Sequence, residues 1–567
     1  MGRARSRQRT APSLTGAASR APDASTSAAP RLPLIGTAAG VAVVESLASG
    51  VVTDFDVEVR MATHDQQPGE SVRPVPVADV PGWSGETDVL VVGQGAAGAS
   101  AAIEAAAAGA EVLVVDAAGG WGGATAMAGG SLYLGGGTPV QKACGIEDTP
   151  EAMYDFLHAA TGPDPDEAKL AVYCADSLEH FDWLTRCGVP FEAKLWTEPA
   201  WELPSGYGLM YTGGENAYPF AETIPPAPRG HVPHMADKRP GERSAGWMLL
   251  NHLVATSEAA GVRAVYDTRV ARLVVDRERV VGVETVTYGE RAFVRARRGV
   301  VLAAGGFAAS DAMLAQHSPR LRGNWLVGTD HDDGSGIRMA QAVGAAVRHM
   351  DAGQTSFPAD PALLVRSLLL DRFGRRFVNE DTYPGRVGQA ALFTQHRQMF
   401  LLYDDRADQE ARAATGIPVE PTWVSDDLDE LGGRMGLAPG VLAGTVAQYD
   451  EAAARGEDPL CHKGARWLRP LEPPYGVLDL RDAPFGVFTT GGLHTSPRGE
   501  VLSVDGAPIP GLFAAGRTTS GIPAWGYCSG TSLGDSTFFG RRAGRSAAAP
   551  SQAAPGSAAT PRQEARA

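Results

Sequence analysis

Two side chains near the C-terminus, Tyr527 and Ser529, have the types and spacing expected for chemistry at a carbonyl group. They lie in the pentad WGYCS at residues 525–529. A phenol can donate a hydrogen bond to a ketone oxygen, and an alcohol two residues away can reach the proton on the neighbouring carbon. The flanking segments GLFAAGR and GTSLGD contain glycines that allow close backbone contact with a ligand. The pentad predicts the carbonyl polarisation and proton removal needed to desaturate a ketone, and the removal of hydride requires a redox cofactor.

A dinucleotide fingerprint lies near residue 90. The apolar run DVLVV at 88–92 predicts a buried parallel strand and leads directly into GQGAAG at 93–98. An alanine-rich helix, a second strand at 111–115 and Asp116 follow. In this pattern Gly93 allows the tight turn, Gly95 admits the pyrophosphate, Gly98 permits close helix–strand packing, and Asp116 accepts hydrogen bonds from the ribose. Strand, helix, strand and acid together predict a bound dinucleotide.

Further glycine-rich segments favour FAD over a nicotinamide cofactor, which needs only the first motif. They are found at 119–138, 300–307, 332–340 and 509–517, and residues 268–270 could offer backbone to the adenine. Their repetition suits FAD lying along a domain built from two parts of the chain. The predicted cofactor-binding residues are Gly93, Gly95, Ala97, Gly98, Asp116, Gly123, Ala124, Thr125, Gly129, Gly130, Val270, Ala304, Gly305, Asp333, Gly516, Ser532 and Leu533.

Composition excludes several other classes of protein. The 567 residues suggest two to four domains, and the net charge of −15 argues against a nucleic-acid-binding protein. No run of about 18 apolar residues predicts a membrane span. The five cysteines are scattered without a C-x-x-C pair, which predicts reduced thiols in a cytoplasmic protein and no metal site.

The two ends of the sequence differ from the remainder. Residues 1–83 predict a largely disordered extension, and residues 548–567 predict a disordered tail. An apolar stretch at 32–44 resembles part of a signal peptide, but Glu45 ends it and no cleavage site follows. A flexible extension, or translation that truly starts at Met61, fits the sequence better than secretion.

Taken together, these motifs resemble the flavoprotein family of fumarate reductases, succinate dehydrogenase flavoprotein subunits and 3-ketosteroid dehydrogenases. The resemblance extends from about residue 87 to 544. It implies an α/β fold in which a Rossmann-like, discontinuous FAD-binding domain carries an inserted α+β catalytic cap domain. The implied boundaries are 84–348 and 486–547 for the FAD-binding domain and 349–485 for the cap.

The dicarboxylate reductases of this family are a poor match. Pro384 stands where they carry a catalytic arginine, and Phe488 stands where they carry a substrate histidine. Proline and phenylalanine can neither hold two carboxylates nor protonate a carbanion. Arg386 lies close enough to substitute in principle.

The steroid branch is a closer match, most similar to the 3-ketosteroid Δ4-dehydrogenases. The sequence NEDTY ending at Tyr383 resembles their cap tyrosine, and the segment from 491 to 544 resembles their C-terminal region. Arg517 replaces the glutamate that the reductases carry in AAGE, which also fits this branch. The resemblance implies that Tyr383, Tyr527 and Ser529 form the catalytic set.

The implied reaction introduces a C=C bond between C4 and C5 of a 3-ketosteroid-like substrate, as expected of an FAD-dependent oxidoreductase acting on CH–CH groups. Tyr527 would donate to the C3 ketone, Ser529 would take the C4 proton, and Tyr383 would relay that proton while flavin N5 accepts hydride. The N-terminal amides of a helix beginning near Ser532 would favour the reduced flavin. An unidentified electron acceptor must then reoxidise the flavin, since no haem or iron–sulfur motif is present.

Simpler interpretations remain open for each residue. Tyr383 could be a turn residue, Tyr527 a packing residue, and Ser529 the cap of the following helix. Alternative functions are Δ1-dehydrogenation, enoate-type reduction of another polycyclic substrate, and flavin binding without turnover. Further tyrosines that could face the cavity are Tyr133, Tyr207 and Tyr211.

Overall fold

The computed structural model describes residues 71–236 and 245–550. Most of the predicted extension, including the apolar stretch and Met61, lies outside these residues, as does the tail from 551. Ordered structure begins before the predicted boundary at 84, because Val75 and Pro76 pair with residues 274–275 and form an edge strand of the main sheet. Two residues with a proline carry no strand signal of their own, and the partner strand decides their conformation.

The strands of the described residues, in chain order, are β1 (Val75–Pro76), β2 (Gly85–Val92), β3 (Val112–Val115), β4 (Leu132–Tyr133), β5 (Leu195–Trp196), β6 (Leu209–Met210), β7 (Gly230–His231), β8 (Arg263–Val265), β9 (Thr268–Asp276), β10 (Arg279–Thr287), β11 (Glu290–Leu302), β12 (Trp325–Leu326), β13 (Val347–Arg348), β14 (Gly353–Ser356), β15 (Leu368–Asp371), β16 (Met399–Asp404), β17 (Trp423–Ser425), β18 (Tyr475–Asp479), β19 (Gly486–Thr489), β20 (Gly492–Leu493), β21 (Glu500–Leu502) and β22 (Pro508–Ala514).

The α-helices of the same residues are α1 (Ala96–Ala107), α2 (Gly123–Met127), α3 (Pro139–Ala143), α4 (Pro150–Ala160), α5 (Glu167–Ala175), α6 (Ser177–Arg186), α7 (Ala245–Ala259), α8 (Asp311–His317), α9 (Ser335–Gln341), α10 (Pro361–Leu364), α11 (Pro384–Gln389), α12 (Asp405–Thr415), α13 (Leu428–Met435), α14 (Val441–Ala453) and α15 (Thr531–Ala548).

The main sheet carries the dinucleotide fold. Its strand order is β1-β9-β10-β11-β2-β3-β8, and β22 pairs with β11 and with β21. The pairs β11–β2, β2–β3, β3–β8 and β11–β22 are parallel. Strand β2, helix α1 and strand β3 confirm the predicted βαβ unit. Both ends of the ordered chain contribute strands, as the resemblance implied, because β22 completes the sheet beside β11.

Helix α15 lies directly against α1 because two of its residues have no side chain. A Cβ atom added at Gly540 would lie 2.5 Å from the carbonyl oxygen of Ala97, and one at Gly544 would lie 2.0 Å from that of Ala101. The alanine-rich surface of α1 matches this close approach, since most of its residues are buried. The helix that carries the predicted flavin amides is thereby fixed against the helix of the dinucleotide fingerprint.

A second sheet, in the order β15-β16-β18-β17, lies within the segment predicted to form the cap. Helices α13 and α14 cover it, and Leu431, Leu442 and Val446 pack with Phe400 of β16 in one hydrophobic cluster. A larger cluster joins residues of this segment, such as Leu369, to residues of the main sheet. The two parts of the chain therefore share a core, and the domain boundaries at 348 and 485 stay a prediction.

Within residues 71–236 and 245–550, no helix combines the length and the apolar character that crossing a membrane requires.

Candidate active site

One large cavity of about 2090 Å³ runs from the ends of β2 and β3 to the second sheet. This volume is about twice the upper end of the usual range for a small-molecule pocket, so it can hold a cofactor and a substrate together. Every predicted cofactor-binding residue except Gly98 lines it, and so do all three predicted catalytic residues. The lining members of the predicted set are Gly93, Gly95, Ala97, Asp116, Gly123, Ala124, Thr125, Gly129, Gly130, Val270, Ala304, Gly305, Asp333, Tyr383, Gly516, Tyr527, Ser529, Ser532 and Leu533.

The turn after β2 has the shape needed to receive a pyrophosphate. Gly93 has a φ of +98°, and a Cβ there would lie 2.4 Å from the carbonyl oxygen of Ala303. Gly98 allows helix α1 to pack closely against this turn, since a Cβ added at Gly98 would lie 1.9 Å from the carbonyl oxygen of Gly93. The Thr125 hydroxyl accepts a hydrogen bond from the Ala96 amide (3.0 Å) at the start of α1. The helix N-terminus therefore faces the cavity with its amides held in place.

Asp116 lies at the end of β3, where the ribose is expected. Its Oδ2 accepts a hydrogen bond from the Gln94 amide (2.6 Å), and its Oδ1 accepts one from the Ala118 amide (2.9 Å). An ionised carboxylate has about four acceptor positions, so two amide contacts leave capacity for ribose hydroxyls. The backbone fixes this carboxylate before any ligand is bound.

Asp332 lines the cavity and forms an ion pair that its place in the sequence did not predict. Arg517 donates to both carboxylate oxygens of Asp332 (2.9 and 2.7 Å), and both side chains are largely buried. A Cβ at Gly305 would lie 2.2 Å from Asp332 Oδ1, so the carboxylate fills the turn after β11. Arg517 Nη1 is buried and has no hydrogen-bond partner among the described residues. A buried donor at the cavity wall fits a cofactor that brings its own acceptor.

Helix α15 presents its N-terminus to the same cavity. Gly530 is the N-cap with a φ of +97°, and Ser532 and Leu533 belong to the first turn. Both residues line the cavity. The first turn and the positive end of this helix suit an electron-rich ring edge. The residues present thus fit FAD at its phosphate, ribose and ring ends.

Tyr527 is a buried phenol at the cavity wall. Its side chain is 6 % exposed, and its ring makes an edge contact with Phe488 at 5.4 Å between centroids. Burial raises the pKa of Tyr527 to about 12, although the amides of Ser532 and Gly530 oppose the shift. The phenol therefore stays protonated at neutral pH and can act as a hydrogen-bond donor. Tyr527 lines the cavity, where its hydroxyl can meet a ligand, and its catalytic role stays a prediction.

Ser529 is held beside Tyr527 by its backbone. Its amide donates to the carbonyl oxygen of Thr212 (2.8 Å). The interpretation of Ser529 as a helix cap is wrong, because the N-cap of α15 is Gly530 and no side chain caps that end. The half-buried Ser529 side chain lies at the cavity wall, where it can meet a ligand.

Tyr383 lines the cavity from a different element, at the N-cap of α11. The buried Gln354 amide nitrogen lies 3.4 Å from the Tyr383 hydroxyl and donates towards it. A Cβ at Gly385 would lie 2.4 Å from both Gln354 Nε2 and Tyr383 Cε1, so only glycine permits this contact. Gln354 also lines the cavity, and sequence spacing gave no signal for it.

Arg386 does not line the cavity, so it does not replace the arginine of the dicarboxylate reductases. Its guanidinium donates to the carbonyl oxygens of Gly213 and Ala160. Phe488, in the position of the reductase histidine, does line the cavity and adds apolar surface. Pro384 and Phe488, which stand in the positions of the reductase arginine and histidine, can neither bind nor protonate a dicarboxylate, in agreement with the expectation from the sequence.

Of the three further tyrosines, only Tyr211 lines the cavity. Tyr133 is fully buried behind the pentad, where its hydroxyl donates to Glu215 (2.9 Å). Burial raises the pKa of Glu215 above its ordinary value. The pairing was not predicted, although Tyr133 lies in the glycine-rich segment at 119–138, because its partner Glu215 is 82 residues away in the sequence.

Residues 88–533 match the model of the family described as FAD binding domain. The chain belongs to this FAD-binding family. Its cofactor is FAD, as predicted, and the protein is an FAD-dependent oxidoreductase acting on CH–CH groups. The predicted α/β fold with additional smaller sheets is also that of the family.

Individual members of the FAD-binding family are similar over most of the chain. The crystal structure of 3-ketosteroid-Δ4-(5α)-dehydrogenase from Rhodococcus jostii RHA1, in complex with 4-androstene-3,17-dione, is 53% identical with a TM-score of 0.82. The similarity covers 84% of this chain and all of that one. The 3-oxo-5-alpha-steroid 4-dehydrogenase of Comamonas testosteroni is 30% identical over 77% of this chain and 94% of its own length. A probable fumarate reductase of Shewanella frigidimarina is 27% identical over 82% of this chain and 76% of its own length.

Proposed function

We propose that the protein desaturates a 3-ketosteroid between C4 and C5, next to its ketone. The observation that carries this proposal is that Tyr383, Tyr527 and Ser529 line the same cavity as the residues that fit FAD. The similarity to two steroid 4-dehydrogenases supports the choice of substrate. We further propose that residues 349–485 form a cap domain over the site.

Apolar side chains in the lining of the same cavity suit an apolar polycyclic ketone. Its walls include side chains from the second sheet and the loops around it, such as Phe357, Ile417, Val419, Leu478 and Leu480. Burying apolar rings against such walls contributes about 25 cal/mol per Å² of apolar surface. Polar side chains line the same cavity, and the three predicted catalytic hydroxyls among them would fix the orientation of the ketone.

The proton chemistry follows from the three hydroxyls. Tyr527 donates a hydrogen bond to the C3 oxygen and stabilises the negative charge that develops there, a contribution of about 3–4 kcal/mol. Ser529 accepts the proton from C4 and passes it to Tyr383, which hands it on to solvent. When bound, FAD supplies the acceptor for the hydride that leaves C5. The substrate loses one proton and one hydride, and an external electron acceptor must later remove the two electrons.

The test is an anaerobic titration of the FAD-loaded protein with a 5α-reduced 3-ketosteroid. The expected result is loss of the yellow flavin absorbance together with the appearance of an enone absorbance. Bleaching by 4-ene-3-ketones but not by saturated ketones would instead identify a Δ1-dehydrogenase. Bleaching by neither substrate would reject a steroid dehydrogenase and favour another ketone or a flavoprotein without turnover.

A further inference from the structure

Arg386 links the helix of Tyr383 to two other segments of the chain. It lies on α11, one turn after Tyr383, and its side chain is half-buried. Its Nε donates to the carbonyl oxygen of Gly213 (2.8 Å), and its Nη2 donates to that of Ala160 (2.8 Å). A guanidinium that bonds two backbone carbonyls in fixed directions restrains three segments relative to one another.

The same guanidinium also contacts the catalytic pentad. Its Nη2 lies 3.5 Å from the Sγ of Cys528, and its Cζ lies 4.7 Å from the centre of the Phe220 ring. Cys528 stands between Tyr527 and Ser529 in the sequence. One side chain on the helix of the third hydroxyl therefore contacts the segment that carries the other two.

Residues 212–214 contact both the segment that carries Ser529 and the helix that carries Arg386. The carbonyl of Thr212 accepts the hydrogen bond of the Ser529 amide (2.8 Å), and the carbonyl of Gly213 accepts that of the guanidinium. A Cβ at Gly214 would lie 2.7 Å from the hydroxyl oxygen of Thr382. Because consecutive Cα atoms are about 3.8 Å apart, these three residues set the separation between Ser529 and α11.

A second contact restrains the other end of α11. The side-chain amide of Gln389 donates to the carbonyl of Trp525 (2.9 Å), the first residue of the pentad. We propose that Arg386 is a positioning residue that holds Tyr383 in register with Ser529 across the substrate cavity. It is not a catalytic residue, because it does not line that cavity. This inference rests on the proposed role of Tyr383 in proton transfer.

The test compares Arg386→Met and Arg386→Lys with the wild type in the FAD-loaded protein. A misplacement of about 1 Å can cost about 10²-fold in rate, so we expect kcat of Arg386→Met to fall by about that factor. KM should change by less than about threefold, because the apolar walls that bind the substrate are untouched. Lysine cannot reproduce the fork of two donors, so Arg386→Lys should fall between the two.

Chemical rescue separates positioning from general stability. Methylguanidine added to Arg386→Met should restore part of kcat, because it can occupy the vacated place, and it should leave wild-type kcat unchanged. The matched control is Arg469→Met, since Arg469 forms a buried ion pair with Asp404 (2.6 and 2.8 Å) and does not line the cavity. That variant should lose thermal stability without a selective loss of kcat. An equal loss of kcat in both variants, with no rescue, would overturn the inference.

A readout that needs no substrate keeps the two proposals distinct. Hydrogen exchange of the FAD-loaded protein should rise in residues 384–389 and 525–530 of Arg386→Met, and in neither segment of Arg469→Met. Unchanged exchange in these segments would overturn the link, whatever the wild type does with steroids. Raised exchange in Arg386→Met, together with a wild type that is bleached by neither steroid, would retain the link and reject only the proposed function.

Discussion

Replacement of Tyr527 by phenylalanine is the most direct test of the carbonyl-donor role. The change removes one oxygen and keeps the ring, so the edge contact with Phe488 at 5.4 Å is retained. Burial raises the pKa of Tyr527 to about 12 from 10.0, which favours the neutral phenol that can donate a hydrogen bond. A donor held in such a desolvated place contributes about 3–4 kcal/mol to the transition state, so we expect kcat to fall by about 10²–10³-fold.

The assay is a single-turnover measurement of flavin bleaching with a saturated 3-ketosteroid. Tyr403→Phe is the matched control, because the Tyr403 hydroxyl is buried, has no hydrogen-bond partner among the described residues and lies away from the cavity. Removing an unpartnered hydroxyl leaves the stability of the protein unchanged or slightly raised. The flavin of Tyr403→Phe should therefore bleach at the wild-type rate. A rate for Tyr527→Phe within about threefold of wild type would refute the reasoning, since one lost donor should cost far more.

Three further predictions concern proton transfer, cofactor binding and pH. Ser529→Ala should slow bleaching by about 10²-fold and increase the isotope effect of a C4-deuterated ketone, because proton removal becomes rate-limiting; an unchanged isotope effect would contradict this. Gly93→Ala should purify with about tenfold less FAD per protein, measured by absorbance, because its Cβ would lie 2.4 Å from a carbonyl oxygen. Gly85→Ala is the control and should bind FAD normally, because the space around that position is open. Burial raises the pKa of Asp535 to about 6 from 3.8, and the Lys169 ammonium opposes the shift. The folded protein therefore binds this proton more tightly than the unfolded chain does. The resulting stabilisation is fully present below about pH 4 and is lost as the pH rises through about 6. Asp535→Asn should therefore remove a pH-dependent change of about 3 kcal/mol in the free energy of unfolding between these pH values, and an unchanged pH dependence would argue against this.

The sequence was informative where a site is built from residues that follow one another. The βαβ unit around Gly93 could be predicted to within a few residues, because strand, turn and helix have local periodicity and a glycine pattern. The pentad and the first turn of α15 were likewise contiguous. The roles of Tyr383, Tyr527 and Ser529 came from a family resemblance, and they stay predictions.

The contacts that the sequence did not reveal join distant positions. Arg517 and Asp332 are 185 residues apart, and Tyr133 and Glu215 are 82 residues apart. Such pairs have no spacing of their own, since the packing of the sheets and loops decides which side chains meet. The contact between Gln354 and the Tyr383 hydroxyl depends on a missing side chain in α11, which becomes meaningful only once the helix has been placed.

The parallel pairing of β22 with β11 has a consequence for biosynthesis. Val300 of β11 pairs with Leu512 of β22, which the ribosome adds more than two hundred residues later. When the dinucleotide turn after β2 has left the ribosome, the nascent chain still lacks strand β22 and helix α15, whose N-terminus faces the cavity. Stable loading of FAD must therefore wait until translation is almost complete, and a chain that stops before β22 should accumulate as colourless apoprotein.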